Sequence, residues 1–171
     1  TNTIISNNLV GSTNTANSVR NLLTLPQTIN FGIRYLPSAG SPLTMTNNTV
    51  QNIQDLSTNS ASTDYGILLV SSVGATNPMT VTNNNISNIE VAAATITPTL
   101  TNLGLAIQGF GGTSNTFAGN NISALVNSSA TNVGYVVGIQ ATGASFGGTM
   151  SKNKISDLRN ASTTLGAGIA G

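Results

Sequence analysis

Residues 80–89 read Thr-Val-Thr-Asn-Asn-Asn-Ile-Ser-Asn-Ile, and the pattern of this stretch returns along the whole chain. The pattern is Thr-apolar-Thr or Ser, then asparagine, then x-Ile-x-x-Ile or Leu. Further copies begin at Thr44, Thr116 and Thr149, and residues 4–10 hold a weaker one. A unit that recurs at a near-constant spacing indicates a repeat architecture, whatever the local propensities are.

Two register marks divide the chain into repeats. The first is the asparagine that precedes x-Ile or x-Val, at spacings of 40, 36, 36 and 33 residues: Asn8, Asn48, Asn84, Asn120 and Asn153. The second is a glycine followed by an apolar residue: Gly32, Gly66, Gly104, Gly138 and Gly168. Each repeat therefore contains three strand candidates, namely the Gly-Ile strand, the Thr-x-Thr strand and the strand that follows the asparagine.

The periodicity inside these segments is that of β-strands. Apolar and polar residues alternate, and proline, glycine or asparagine interrupts every run before a helix could form. We predict an all-β fold, a parallel β-helix or β-solenoid of four to five turns, with three strands and 33–40 residues per turn. Two inward columns are expected: Ile5, Met45, Val81, Phe117 and Met150, and Val10, Val50, Ile86, Ile122 and Ile155.

The recurring asparagines predict sharp corners between strands. Asparagine tolerates the left-handed backbone conformation, and its amide can bond to the amides of the turns above and below as a ladder. We assign both roles to the five register-mark asparagines. The polar stretches 12–25, 57–64 and 92–102 are expected to be variable loops. Residues 1–171 are interpreted as one solenoid domain, a segment of a longer repeat protein.

The surface must be solvated mainly by uncharged side chains, because only 5% of residues are charged and the net charge is +1. An average globular domain has about 25% charged residues. So few charges argue against binding to nucleic acid or acidic membranes, and no apolar run reaches the ~20 residues of a membrane span. The chain lacks cysteine and histidine, which removes thiolate metal sites and the commonest general base. No cofactor or metal is expected.

The Asn-x-Ile-x-x-Ile and Gly-Ile marks resemble the short repeats of the right-handed parallel β-helix, the pectate-lyase-like superfold. The Thr, Asn, Ser and Gly bias is similar to the repeat regions of large secreted bacterial surface proteins. The resemblance implies a right-handed coil and an extracellular or cell-surface location. It implies no single activity, because this superfold carries lyases, hydrolases, tailspikes, adhesins and spacers. The Asp, Arg and Lys clusters of its enzymes have no counterpart here.

Carboxylates are too sparse to indicate an enzyme. Of the four, Asp55 and Glu90 come nearest to a catalytic pair, one turn apart and one position out of register. Glycoside hydrolysis needs two carboxyl groups that face one bond. We predict a non-enzyme, with a polysaccharide lyase or hydrolase as the alternative.

Two surface features indicate possible ligands. The Thr-x-Thr array is expected to form an outward strip that resembles the ice-binding face of some β-solenoid antifreeze proteins: Thr44, Thr46, Thr80, Thr82, Thr116 and Thr149. Tyr35, Tyr65 and Tyr135 fall near the Gly-Ile strands, where tyrosines either contact glycans or pack in the core. Among the glycosylation sequons, Asn127 and Asn160 are expected to lie in loops.

The leading functional hypothesis is a non-catalytic structural or adhesive β-solenoid of an extracellular fibre. Uncapped parallel strands expose their edges, which favours stacking by another chain. The expected partners are a second copy stacked end to end, flanking repeats of the same chain, and surface polysaccharide, with neither nucleic acid nor membrane insertion. The alternatives are a β-helix that binds or cleaves polysaccharide and an ice-binding protein.

Overall fold

The computed structural model describes residues 2–22, 28–36, 41–57, 62–70, 78–92, 100–108, 112–130, 133–142, 146–163 and 168–171. Within these ranges the regular structure is sixteen β-strands in three sheets. Sheet A contains β1 (Thr3–Ser6), β5 (Leu43–Thr46), β8 (Met79–Thr82), β11 (Gly112–Ala118) and β14 (Phe146–Ser151). Sheet B contains β2 (Leu9–Val10), β6 (Thr49–Asp55), β9 (Asn85–Val91), β12 (Asn121–Asn127) and β15 (Lys154–Asn160), with β3 (Val19–Asn21) beside β6. Sheet C contains β4 (Thr28–Tyr35), β7 (Ser62–Val70), β10 (Leu100–Gln108), β13 (Gly134–Thr142) and β16 (Gly168–Ala170).

The chain visits sheets A, B and C in that order and then begins the next turn. Among the described strands every pairing is parallel and joins one repeat to the next, as in β5–β8, β6–β9 and β7–β10. The predicted parallel β-solenoid is therefore confirmed. Three central turns are complete, whereas β2 has two residues and β16 has three. The predicted count of four to five turns is slightly high, because the first and last turns are shortened. The right-handed coil stays a prediction. None of the described segments is a helix that could span a membrane.

The two predicted inward columns form the centre of the core. Met45, Val81 and Phe117 pair in successive turns of sheet A and are fully buried. Val50, Ile86 and Ile122 do the same in sheet B. Parallel pairing in register places identical positions of successive repeats above one another, so one apolar position per repeat produces a continuous column. Met150 closes the first column in the last turn and is 43% exposed.

A left-handed residue in the middle of each long strand of sheet B explains the x-Ile-x-x-Ile spacing. In an ordinary strand, residues three positions apart point to opposite faces. Ile86 and Ile89 are nevertheless both fully buried in β9, and Asn88 between them has a φ of 53°. This local kink, also present at Asn52, Ala124 and Asp157, reverses the alternation and turns the second apolar residue inward.

Close packing between sheets B and C explains the glycine of the Gly-Ile mark. A Cβ atom at Gly66 would overlap the Cγ2 methyl of Ile86 and would lie 2.7 Å from the carbonyl oxygen of Gly104. Gly104 has the same surroundings one turn on, with Ile122 and Gly138. Only a residue without a side chain lets the backbone of sheet C approach the sheet B column so closely.

Three stretches predicted to be loops contain strands. Residues 19–21 form β3, which pairs with Ile53–Asp55 of β6, because the two-residue β2 pairs with only the start of β6. The predicted loops 57–64 and 92–102 overlap the starts of β7 and β10, which pair with each other and with their other neighbours. Residues 23–25, 58–61 and 93–99 of the predicted loops lie outside the described residues.

Candidate functional site

The five register-mark asparagines form a hydrogen-bonded ladder through the molecule. The side-chain Nδ2 of each donates to the Oδ1 of the next, at 2.8 Å for Asn8–Asn48 and 2.9 Å for Asn48–Asn84, Asn84–Asn120 and Asn120–Asn153. Each acceptor Oδ1 also receives the backbone N–H of the previous asparagine, at 3.0 to 3.1 Å. Nδ2 also donates back to the preceding turn, for example from Asn84 to the carbonyl of Met45 at 3.2 Å. The buried amides are thus well satisfied.

The ladder has a direction. In every step the nitrogen donors belong to the earlier turn and the oxygen acceptor to the later one. A turn placed before the first would therefore donate to the Oδ1 of Asn8. A turn placed after the last would accept from the Nδ2 and the backbone N–H of Asn153. The two ends of the ladder are complementary to each other.

The left-handed corner conformation belongs to the residue before each ladder asparagine, which corrects our assignment of both roles to one residue. The φ angles of Asn7, Asn47, Asn83 and Lys152 are 55° to 57°, and that of Gly119 is 66°. The ladder asparagines follow directly, and none of the five has a positive φ. The residue before the ladder asparagine adopts the left-handed conformation of the corner, and the ladder asparagine that follows directs its amide along the solenoid axis.

A shallow groove of about 410 Å³ crosses the outer face of sheet B. Its floor includes the left-handed residues of four turns, Asn52, Asn88, Ala124 and Asp157. Ala16 and Asn17 line the groove from the first turn. Four stacked turns correspond to roughly 14 Å along the axis at ~4.8 Å per step. Sequence reasoning missed this groove, although the middle x positions of x-Ile-x-x-Ile mark its floor.

Charged and amide groups in the groove are held by hydrogen bonds. Glu90 accepts from Gln54 Nε2 and from Ser128 Oγ, both at 2.7 Å. Arg159 Nε donates to Asp157 Oδ1 at 2.6 Å. The column of Gln54, Glu90, Val126 and Arg159 thus presents an amide, a carboxylate, an apolar side chain and a guanidinium group in successive turns. Such a surface can bind an extended polar ligand that runs parallel to the solenoid axis.

The structure separates the two acids that the sequence suggested as a catalytic pair. Gln54 is the register partner of Glu90, and Asp55 is that of Val91. Glu90 therefore lies on the outer face, whereas the side chain of Asp55 is fully buried. Asp55 and Glu90 cannot face one bond from opposite sides of a sheet. Among the described residues, no three His, Cys, Asp or Glu side chains cluster as a metal site would require.

The predicted threonine strip lies on the outer face of sheet A in two columns. Thr44, Thr80, Thr116 and Thr149 are register partners in successive turns. Thr46 and Thr82 form the second column, and their hydroxyls are hydrogen-bonded at 3.3 Å. Ala118 and Ser151 continue it, so the second column contains two threonines only.

The three tyrosines lie in different environments. Tyr35 packs against the central core. Tyr65 is part of a smaller apolar cluster on the other face of sheet C, where its ring stacks on Phe31 with 5.7 Å between centroids. Tyr135 pairs in register with Thr101 and is 37% exposed. The structure does not bring them together as one glycan-binding surface.

The two sequon asparagines predicted in loops end strands instead. Asn127 closes β12, is buried, and donates from Nδ2 to Asn160 Oδ1 at 2.8 Å. Asn160 closes β15 and donates to the carbonyl of Gly134 at 2.7 Å. Both amide nitrogens are engaged in the fold. Parallel stacking places both asparagines in strands, and the Asn-x-Ser/Thr pattern alone carries no information about this stacking.

Comparisons with protein-family models, with curated proteins and with solved structures found no match for this chain.

Proposed function

We propose that this chain is a non-catalytic structural β-solenoid that lengthens by head-to-tail stacking of copies. The complementary ends of the asparagine ladder carry the proposal. A turn stacked before Asn8 would complete the acceptor end, and a turn stacked after Asn153 would complete the donor end. The two contacting surfaces differ, so the interface is heterologous, and copies added along the solenoid axis would extend it as a filament and not as a closed ring.

The apolar columns support the same mode of stacking. The central members Met45 and Val50 are fully buried, whereas Ile5 and Val10, their partners in the first turn, are only partly buried. Met150 in the last turn is 43% exposed, and its partner Phe117 is fully buried. A further turn at either end would bury these side chains, at about 25 cal/mol per Å² of apolar surface removed from water.

Negative-stain microscopy over a range of protein concentrations tests this role. Filaments with a subunit rise of about 24 Å, from the five stacked strands of sheet A at ~4.8 Å each, are the expected result. Met150→Lys should prevent them, because it places a charge in the stacked interface. Thr80→Lys is the matched control, since it adds the same charge to an exposed outward position of a central turn. Discrete monomers of the unchanged chain at every concentration would contradict the proposal.

We also propose that the coil is right-handed and of the pectate-lyase-like type, and that the chain belongs to a secreted or cell-surface repeat protein with adhesive contacts. The charge-poor composition supports an extracellular location. Surface labelling of intact source cells with an antibody to this chain would test it. Labelling confined to permeabilised cells would argue against it.

A second candidate function is binding of an extended polysaccharide, and the groove on sheet B favours it. Its amide and charged groups are arranged along the axis, and glycans are bound through such groups. Calorimetric titration with neutral and acidic polysaccharides is the test. Glu90→Gln and Arg159→Ala should each weaken binding several-fold, whereas Arg34→Ala, which changes an exposed arginine of sheet C, should not. Equal affinities for all three variants would place the ligand elsewhere or exclude it.

Ice binding by the threonine strip stays a further expectation. The column of Thr44, Thr80, Thr116 and Thr149 is the feature that favours it. Thermal hysteresis that Thr80→Tyr abolishes would support this role. A chain without measurable hysteresis would end it.

A further inference from the structure

Two buried acids lie in the first complete turn of the solenoid, where sheet B passes to sheet C. Asp55 ends β6 and Asp64 is the third residue of β7. Both side chains are 1% exposed or less. Asp55 Oδ1 accepts the backbone N–H of Ser57 at 2.8 Å. A buried carboxylate is costly unless donors surround it, so the donors available to Asp64 decide its charge.

Asp64 stands between two asparagines in successive turns. Asn30 in β4 and Asn102 in β10 are its register partners. Asn30 Nδ2 donates to Asp64 Oδ1 at 2.7 Å. The second carboxyl oxygen, Oδ2, is buried and has no hydrogen-bond partner.

Asn102 leaves a matching oxygen without a donor. Its Nδ2 donates to the carbonyls of Ile89 at 2.7 Å and Val126 at 3.1 Å. These two acceptors determine the orientation of the amide, because a flipped amide would place its oxygen against two carbonyls. The Oδ1 of Asn102 is buried and unpartnered. Two adjacent turns therefore each carry one buried oxygen that needs a donor.

We propose that Asp64 is a neutral carboxylic acid in the folded protein, whose Oδ2–H donates to the Oδ1 of Asn102. One proton then satisfies both oxygens and continues the row Asn30–Asp64–Asn102 as a hydrogen-bonded ladder. The row joins three turns of sheet C. A buried proton thus becomes a structural component of the solenoid, and its release above the native titration range loosens the join between β7 and β10.

The surroundings of Asp64 favour its protonated form. Burial is the largest cause that raises the pKa of Asp64 well above its ordinary value, and the negative charge of Asp55 raises it further, while the hydrogen bond from Asn30 lowers it. The other titratable groups on the neighbouring strands point elsewhere. Arg34 of β4 lies over the Phe31 ring, 5.0 Å from its centre, and Tyr35 pairs with Leu69 farther along the strand. Glu90 of β9 is in the outer groove, and the described residues of β10 carry no charge.

The predicted pH dependence follows from the sign of this shift. The folded chain holds a proton that the unfolded chain releases above about pH 3.9. Unfolding therefore becomes more favourable as the pH rises from this value to the raised native pKa. Within that window the unfolding constant increases up to tenfold per pH unit on account of Asp64.

Asp64→Asn tests the proposal, because an asparagine supplies a permanent Nδ2–H donor in place of the proton. The variant should lose this part of the pH dependence, and its urea midpoint at pH 8 should exceed that of the unchanged chain. Asp157→Asn is the control, since this acid is exposed. In ¹³C NMR spectra of the unchanged chain, the Asp64 carboxyl signal, identified by its absence from the variant, should have the shift of a neutral acid at pH 6.

Two outcomes would overturn the proposal. One is a carboxylate shift for Asp64 at pH 6 together with parallel stability profiles for the unchanged chain and Asp64→Asn. The other is a rise in the urea midpoint at pH 8 when CaCl₂ or NaCl is added at constant ionic strength, present in the unchanged chain and absent from Asp64→Asn. That second result would mean that a bound cation, and not a proton, joins Asp64 to Asn102.

Discussion

At the scale of single residues, left-handed backbone positions are filled mainly by asparagine. Among the described residues, nine non-glycine residues have φ between 51° and 58°, and six of them are asparagines. Asparagine is the side chain that adopts this conformation at least cost after glycine. Ala124 is the member of this set without a polar side chain. It therefore carries strain that its counterparts Asn52 and Asn88 avoid.

Ala124→Asn should stabilise the protein by about 1 kcal/mol, the lower end of the usual cost of a left-handed alanine. The new amide would also extend the existing bond between Asn88 Nδ2 and Asn52 Oδ1, 3.2 Å long. Urea denaturation measures the change. Ala118→Asn, at an outward position that has no positive φ, should give no such gain. A midpoint for Ala124→Asn at or below that of the unchanged chain would contradict the inferred strain.

The ladder asparagines should be far more sensitive to truncation than the asparagines beside them. Asn84→Ala removes the acceptor for two donors of Asn48 and a donor to Asn120. We expect a loss of about 3 kcal/mol or more, because buried groups left without partners cost about 1–3 kcal/mol each. Asn85→Ala is the matched control and removes one partly buried bond from Asn121. Similar losses of unfolding free energy for both variants in chemical denaturation would show that the ladder stabilises the fold no more than an ordinary side-chain hydrogen bond.

At the scale of strands, a close contact between sheets B and C constrains the sequence of every repeat. The glycine of each central sheet C strand lies against the β-branched side chain that follows the ladder asparagine by two residues, as Gly66 does against Ile86. The Gly-Ile mark and the asparagine mark, which are far apart in each repeat, thus both contribute residues to one contact between the sheets. This pairing explains why both marks recur in every copy of the repeat.

Gly66→Ala should destabilise the solenoid by about 3 kcal/mol, the upper part of the usual range for overpacking. The added Cβ would meet a side chain and the backbone carbonyl of Gly104, which cannot move without disturbing the ladder of sheet C. Thermal unfolding followed by circular dichroism measures the effect. In Gly168→Ala the nearest atom would be at 3.8 Å, so a near-neutral result is expected there. An equally small effect at Gly66 would mean that the sheets can separate easily.

At the scale of the whole molecule, the core is a set of columns with two open ends and no closing layer among the described residues. The end members Ile5, Val10 and Met150 are less buried than the central members of the same columns. Stability should therefore increase whenever another turn covers an end. This dependence distinguishes a stacking solenoid from a domain with a closed core.

The unfolding temperature of the unchanged chain should rise with protein concentration, because association stabilises the folded state by mass action. Met150→Lys should remove the dependence. Calorimetric scans at concentrations that differ a hundredfold would measure it. A constant unfolding temperature, together with a constant sedimentation coefficient, would show that the open ends do not associate.

The repeats in the sequence were sufficient to determine the parallel stack, its three strands per turn and its two central columns. Parallel pairing in register converts a period along the chain into a column in space, so a pattern such as Thr-Val-Thr-Asn-x-x-Ile already contains these features. The asparagine ladder could be predicted from the same repeat spacing, because it needs only an asparagine at the same position of each successive turn.

Only the tertiary structure decided which face the polar residues beyond the left-handed kinks of sheet B occupy. The left-handed residues such as Asn88 reverse the alternation of a strand, and the change depends on backbone angles that the residue type alone does not determine. This reversal places Glu90 in the outer groove, while Asp55, the next position of the preceding turn, lies inside. The register pairing of Asp64 with Asn102 depends likewise on where β7 and β10 begin. The spacing of the repeats was therefore sufficient to predict the fold, whereas the sites depend on which side chains of each strand point inward and which point outward.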